Sequence, residues 1–268
     1  MLFIFGRATY GNAKYFLGQV SGSRTPLYFP FVYAVKEPLA VHILTLFAVA
    51  FAVRRFLDAP KRGDWVRKHF AEAAFAIIVA VYWLASIGCN LNIGVRHLLP
   101  AFIPVYILAA ASTVRQLTSA GSKRSKSIAT ACLAGLLIWQ AVSVTAVYPH
   151  YIAYFNELAG GPEGGYRYVV DSNLDWGQDL KRLARFVEQN RIEVINLDYF
   201  GRAEPEYYLG SKYRSVQPTD AARKGWIAVS ASLYQSSRAE PSRDYRSWLP
   251  LSKRVAAIGH SIFVFYNE

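Results

Sequence analysis

Three acidic residues at even spacing are the first candidates for chemistry: Asp171, Asp175 and Asp179. Neighbouring carboxylates can bind a cation, accept hydrogen bonds from sugar hydroxyls or cap a helix. The oxygens of Asp171, Asn173 and Asp175 occupy the first, third and fifth positions of a segment that resembles a calcium loop. Its glycine stands one place late, however, and Arg182 occupies the position of the bidentate glutamate. We therefore expect no metal here.

Two interpretations of this segment remain open. In the first, it is a strand end, an Asx turn and a capped helix, and the acids serve only to shape the backbone. In the second, it is an acceptor-binding or sugar-binding edge formed by Asp171, Asn173, Asp175 and Trp176. Trp176 would stack on a sugar ring, although tryptophan near a membrane is also a common interface anchor.

A second candidate is the pair Arg96-His97, which directly precedes an apolar run. A guanidinium group is planar and always charged, and its donors match the oxygens of a phosphate. The pair is therefore predicted to bind the phosphate of a membrane ligand. The alternative is that Arg96 extends to lipid headgroups at a helix end, with no specific ligand.

The composition indicates a membrane half and a soluble half. The chain is 53% hydrophobic with a formal net charge of +12, and its long apolar runs lie before residue 149. From 149 to 268 there are 15 Lys and Arg against 14 Asp and Glu, a balance of +1. Because the basic excess flanks the apolar runs, it is typical of cytoplasmic membrane loops. No base-reading module accompanies it, so we exclude nucleic acid as a partner.

Four apolar runs have about the length that crosses a bilayer. They cover residues 28–53, 70–88, 98–114 and 127–147. Lys36-Glu37-Pro38 interrupts the first, which is either one kinked helix or a shorter helix from Pro38 to Val53. Residues 54–68 and 115–126 carry ten basic residues and are assigned to the cytoplasm. Residues 1–27 and 149–268 are then extracytoplasmic, as a loop and as a domain, on a multi-pass protein of the cell (inner) membrane whose first partner is the bilayer.

The fold class predicted is therefore an α-helical multi-pass membrane region of four spans followed by a small soluble α/β domain. In that domain we predict a helix from an Asp175 cap to a left-handed turn at Asn190, and strands at 192–197 and 226–230. A hairpin of 254–258 and 262–266 should turn at Gly259-His260. The two cysteines, Cys89 and Cys132, fall near opposite membrane faces and should be unbridged.

Three segments resemble a known family. They read YFPFVYAVKEPLA (28–40), GVRHLLPAFIP (94–104) and YFNELAGGPEGGYRYVVDSNLDWGQDL (154–180). Similar segments stand in the same order in bacterial phospholipid-carrier-dependent membrane glycosyltransferases. These are family-39-like enzymes of the GT-C class, related to protein mannosyltransferases and aminoarabinose transferases. The resemblance covers about Tyr15 to Tyr208, and its most specific part is the segment from Asp171 to Asp179.

The resemblance implies that the chain is the C-terminal portion of an enzyme that transfers a hexosyl or pentosyl group. The sugar would move from a polyprenyl-phosphate donor to an extracytoplasmic acceptor, with Arg96 and His97 at the donor phosphate. In this family an acidic residue of the first external loop acts as the base, and that loop precedes the region matched here. Residues 1–27 contain no Asp or Glu. We therefore expect this chain alone to be inactive and a separate N-terminal half to be a possible partner.

Other classes of function stay open. The sequence contains no nucleophile elbow, P-loop or zinc-ligand set, so catalytic residues are not identified and no cofactor is expected. A non-enzymatic membrane anchor presenting a glycan-binding or assembly domain is the main alternative. A transporter fragment is a weaker one, because charged residues are nearly absent from the predicted spans.

Overall fold

The structure is a computed structural model, and it describes residues 13–92, 94–119, 121–221 and 223–268. The chain forms two compact units. The helical unit comprises Thr25–Cys89 and Val95–Tyr148. The sheet unit comprises the described residues up to Arg24, the short loop that ends at Gly94, and Pro149–Glu268.

The described residues of the helical unit form six α-helices. They are α1 (Tyr28–Lys36), α2 (Leu39–Leu57), α3 (Arg62–Lys68), α4 (Phe70–Gly88), α5 (Leu99–Ser119) and α6 (Lys123–Thr145). A 3-10 turn, Val95–Leu98, leads directly into α5. Among the described residues, four helical segments are long and apolar enough to cross a membrane: α2, α4, α6, and α5 together with its preceding turn.

The interrupted first run is two helices. The first, α1, ends at Lys36, and Pro38 is the N-cap of α2 with extended backbone angles, φ −58° and ψ 138°. Proline disfavours a helical conformation at the residue before it, which here is Glu37 at ψ 145°. The shorter of the two predicted helices is therefore the better description of α2, which extends four residues past Val53.

The outer faces of the helical unit are apolar. α2 and α4 pack against α5, yet no residue of α4 or α6 is fully buried. Ile77, Leu84 and Ile138 are 63%, 71% and 64% exposed. Apolar surface on this scale is unusual for a protein surrounded by water and is expected where lipid covers the helices.

The sheet unit is built on a mixed five-stranded sheet. In chain order its regular elements are β1 (Lys14–Phe16), β2 (Gln19–Ser21), α7 (Leu180–Gln189), β3 (Ile195–Asp198), α8 (Pro205–Leu209), β4 (Tyr213–Ser215), β5 (Gly225–Ser230), α9 (Ala231–Ser236), β6 (Arg254–Ile258) and β7 (Ile262–Asn267). The strand order is β4-β3-β5-β7-β6. β3 is parallel to β4 and β5, and β7 is antiparallel to β5 and β6. The predicted hairpin is confirmed as β6–β7.

Helix α7 covers the sheet with an apolar stripe of Leu180, Leu183, Ala184 and Val187, all of them buried. Its predicted ends are wrong. The helix begins at Leu180, after Asp179, because Gly177 at φ 76° interrupts any helix started at Asp175. At the other end Arg191, at φ 51°, takes the left-handed conformation predicted for Asn190.

The N-terminal hairpin β1–β2 belongs to the sheet unit. Tyr15 is 4% exposed, its hydroxyl donates to the Arg167 carbonyl at 2.8 Å, and the Arg238 guanidinium donates to that hydroxyl at 2.9 Å. This segment, predicted as a loop, is therefore a packed hairpin. Both cysteines are free, as predicted.

Candidate functional site

Arg96 and His97 lie in the turn that precedes α5. Leu98, fully buried, fixes this turn to the helical unit. The Tyr82 hydroxyl donates to the His97 carbonyl oxygen at 2.6 Å, and the His97 ring meets the Phe29 ring edge-on with centroids 6.5 Å apart. Arg96 is exposed, whereas His97 is half-buried. The arrangement leaves the guanidinium at the surface beside the amino end of an apolar helix, where backbone N–H groups favour an anion.

The Nε2 atom of His97 is buried and has no hydrogen-bond partner among the residues that the structure describes. A neutral imidazole nitrogen can donate or accept, depending on the tautomer. A phosphate oxygen reaching this nitrogen would satisfy it, so the pair predicted from sequence combines an exposed cationic group with a buried polar atom that has no partner in the described chain.

The segment from Asp171 to Asp175, which precedes α7, is a tight turn. Asp171 has φ 54°, and its carbonyl accepts the N–H groups of Leu174 and Asp175, each at 2.8 Å. The backbone N–H of Asp171 donates to Ser232 Oγ at 3.0 Å, which joins the turn to α9. Gly94 approaches closely: a Cβ there would lie 2.1 Å from Ser172 Oγ.

Asp175 is completely buried. Its Oδ1 accepts the Gly177 N–H at 3.1 Å, and its Oδ2 accepts the Ser232 N–H at 3.4 Å. Burial raises the pKa of this carboxyl from 3.8 to about 7, the two backbone N–H groups oppose the rise, and the charge of Asp179 adds to it. Asp175 is thus a proton-binding group near neutral pH that holds the turn from inside.

Asp179 is also completely buried and connects two elements. Its Oδ2 accepts the Ser261 hydroxyl at 2.6 Å and the Gln178 amide at 3.1 Å, and its Oδ1 accepts the Arg182 guanidinium. These contacts tie the start of α7 to the turn between β6 and β7. The sequence indicated Asp179 only as one of three evenly spaced acids.

The four predicted acceptor-binding residues divide into two pairs. Asn173 is fully buried, like Asp175, and its amide donates to the Val170 carbonyl at 3.2 Å. Trp176 is 53% exposed and Asp171 is half-buried. A sugar could stack on Trp176 and reach Asp171, whereas the buried pair would become accessible only if the turn opened. Sugar binding by these residues stays a prediction.

Two histidines beside Asp179 were not predicted as site residues. His150 Nδ1 lies 4.0 Å from Asp179 Oδ1, and the His150 and His260 rings meet edge-on at 5.3 Å. His260 Nδ1 lies 2.8 Å from Glu163 Oε1. Burial, followed by the charge of Arg182, lowers the pKa of His150, so it is neutral near pH 7. His150 follows Pro149 and His260 follows Gly259, and neither has a distinctive spacing to another polar residue, which explains why sequence reasoning missed both.

The break between α1 and α2 places a carboxyl group inside the helical unit. Glu37 is 7% exposed, and its Oε2 accepts the Tyr106 hydroxyl at 2.7 Å. Both residues line a cavity of about 480 Å³, whose other walls include Val41, Leu133 and Leu137. The available signal was the Lys36-Glu37 pair inside an apolar run, since an intramembrane acid is a candidate functional residue.

A second charged cluster lies at the opposite ends of these helices. Arg115 of α5 bonds Glu72 of α4, and His69 Nδ1 lies 3.9 Å from the same carboxylate. Neither the cluster nor α3 was predicted. Within the described residues no three His, Cys, Asp or Glu side chains form a group that could hold a metal ion.

Comparison of the chain with models of protein families, with curated proteins and with solved structures finds no match.

Proposed function

We propose that this chain is the C-terminal part of an integral membrane glycosyltransferase that takes its sugar from a polyprenyl-phosphate donor and transfers it to an extracytoplasmic acceptor. The four apolar helical segments and the exposed apolar faces of α4 and α6 support membrane insertion. The order of the three family-like segments supports the class of enzyme. The basic loops 54–68 and 115–126 support an extracytoplasmic sheet unit.

The observation that carries the donor-binding part is the environment of Arg96 and His97. An exposed guanidinium stands at the amino end of α5, and a buried Nε2 atom without a partner in the described chain lies on the neighbouring residue. The Tyr82 hydroxyl and the buried Leu98 fix the backbone of the turn that carries both residues. Fixed donors at the end of a membrane-length helix suit a phosphate whose lipid chain enters the bilayer.

The test is binding of a fluorescent polyprenyl phosphate to the purified full chain in detergent. A charge-assisted hydrogen bond contributes about 1.5–3 kcal/mol, so Arg96→Ala should weaken binding by about tenfold or more. Arg96→Lys keeps the charge but loses the forked guanidinium, so its affinity should lie between those of the wild type and Arg96→Ala. Arg54→Ala, on an exposed arginine that pairs with Asp58 at 3.7 Å, is the matched control. Equal affinity in all four proteins would contradict the proposal.

A second candidate is a membrane anchor that presents a glycan-binding domain, and the exposure of Trp176 favours it. At 53% exposed, Trp176 is the kind of flat aromatic surface on which a sugar ring stacks. The full chain would then bind soluble oligosaccharides but would have no measurable affinity for polyprenyl phosphate. Trp176→Ala would abolish the binding of oligosaccharides. The opposite pattern favours the enzyme.

A further inference from the structure

A cavity of about 550 Å³ runs between α2, α4 and α5 in the helical unit. Its walls are apolar for most of their length, with small side chains such as Ala48, Ala73 and Ala76 leaving the space open. At one end lie Arg55, Trp65 and Arg115. This end is separate from Arg96, which does not line the cavity.

The polar end of the cavity lies at the ends of three helices. Arg55 is two residues before the end of α2, Arg115 is four before the end of α5, and Glu72 is two after the start of α4. In helices that cross a bilayer, these positions lie at the headgroup layer. Two arginines against one glutamate leave an excess of one positive charge there.

A hydrogen-bond donor in this end has no acceptor. Trp65 Nε1 is buried and unpartnered within the part of the chain that the structure describes. An indole nitrogen can only donate, and a buried donor left without an acceptor is costly. The Arg115 guanidinium bonds Glu72 and lies 3.5 Å from His69 Nδ1. The site therefore presents a buried N–H donor and an excess of one positive charge, since its one carboxylate, Glu72, bonds Arg115 and not the indole of Trp65.

The length of the cavity identifies the class of ligand. From Glu72 to Trp83, both of which line it, α4 rises about 16 Å at about 1.5 Å per residue. Half of a hydrocarbon core of about 30 Å is about 15 Å, so the cavity has the depth of one leaflet. An acyl chain of a phospholipid fits this depth, whereas a long polyprenyl chain would extend beyond it.

We infer that this cavity binds an anionic phospholipid, with one acyl chain between α2, α4 and α5 and its phosphate at Trp65, Arg55 and Arg115. Basic pockets between membrane helices are known to take such headgroups. The inference rests on the membrane insertion proposed above, but it does not depend on glycosyl transfer or on Arg96.

The test uses the full chain extracted from membranes in detergent and titrated with phosphatidylglycerol, with bound lipid counted by native mass spectrometry. Arg55→Gln removes one positive charge and should weaken binding about fivefold, and Glu72→Gln should strengthen it by about the same factor. Arg54→Gln, one residue away and outside the cavity, is the control and should leave affinity unchanged.

A steric pair of variants tests the acyl-chain site. Ala76→Phe fills the apolar part of the cavity and should abolish retention of phosphatidylglycerol. Ala85→Phe places the same ring on the same helix, at an exposed position outside the cavity, and should not. Unchanged binding in both Arg55→Gln and Ala76→Phe would overturn the inference, as would preferential retention of polyprenyl phosphate at these residues. A chain that is soluble without detergent would instead overturn membrane insertion, and this inference with it.

Discussion

The buried carboxyl of Asp175 predicts an unusual pH dependence of stability. In the folded chain the pKa of this group rises from 3.8 to about 7, chiefly because it is buried. The folded state therefore binds a proton that the unfolded state releases between these pH values. The contribution of Asp175 to the free energy of unfolding should be greatest below pH 3.8 and should fall as the pH rises toward about 7. This is opposite to the behaviour of a carboxylate held in a salt bridge.

The magnitude follows from the width of this window. Each pH unit between the two pKa values costs about 1.4 kcal/mol, so the whole window is worth about 4 kcal/mol. Asp175→Asn removes the titration. Its amide oxygen can accept only one of the N–H groups of Gly177 and Ser232, and its NH₂ group faces the other, at a cost of about 1–3 kcal/mol. The variant should be less stable than the wild type at pH 4 and equal or more stable at pH 8.

Hydrogen exchange in the central strand β5 measures the free energy of opening the sheet unit within the full chain. Rates are corrected for the intrinsic effect of pH. Asp198, whose pKa burial raises, and His150, whose pKa burial lowers, titrate in both proteins. The difference between wild type and Asp175→Asn therefore isolates Asp175. A difference that is constant from pH 4 to 8 would refute the reasoning.

Three further predictions concern other parts of the fold. Gly259→Ala should destabilise the sheet unit by more than about 2 kcal/mol, because its Cβ would lie 2.1 Å from the Asp179 carboxyl at φ 58°. Gly160→Ala, in the left-handed conformation at φ 74° and with its nearest contact at 3.7 Å, should cost only about 1 kcal/mol. Leu183→Ala, at a fully buried position, should cost about 2–5 kcal/mol by the same exchange measurement. In a chain without native cysteines, an impermeant thiol reagent added to intact cells should label Ser236→Cys but not Gly121→Cys. Labelling of Gly121→Cys alone would contradict an extracytoplasmic sheet unit.

The sequence predicted those features that depend on local pattern. The apolar runs anticipated the four long helices, and alternation of residues anticipated the hairpin of β6 and β7. The contacts of Asp179 could not be predicted, because Ser261 and Gly259 are about 80 residues away and only the sheet brings them to the start of α7. The helix start was misplaced since both Asp175 and Asp179 are acceptable N-caps, and the positive φ of Gly177 decides between them.

The candidate sites differ in the same way: a site marked by a local pattern was predicted, and a site formed by distant residues was not. Arg96 and His97 stand out in the sequence because charged residues beside an apolar run are conspicuous. The cavity between α2, α4 and α5 depends on small side chains from three helices, and no single segment reveals it. Trp65 was likewise overlooked, because α3 lies in a basic loop whose pattern indicates membrane orientation but not a short helix.

The central claim, that a polyprenyl phosphate binds at the start of α5, is tested most directly by photochemical cross-linking. A polyprenyl phosphate with a photoreactive group beside its phosphate is irradiated with the full chain in detergent, and the labelled peptides are identified by mass spectrometry. We predict a cross-link within Val95–Leu98 that decreases about tenfold in Arg96→Ala. Labelling that avoids this turn, or that is equally strong in Arg96→Ala, would contradict the proposal.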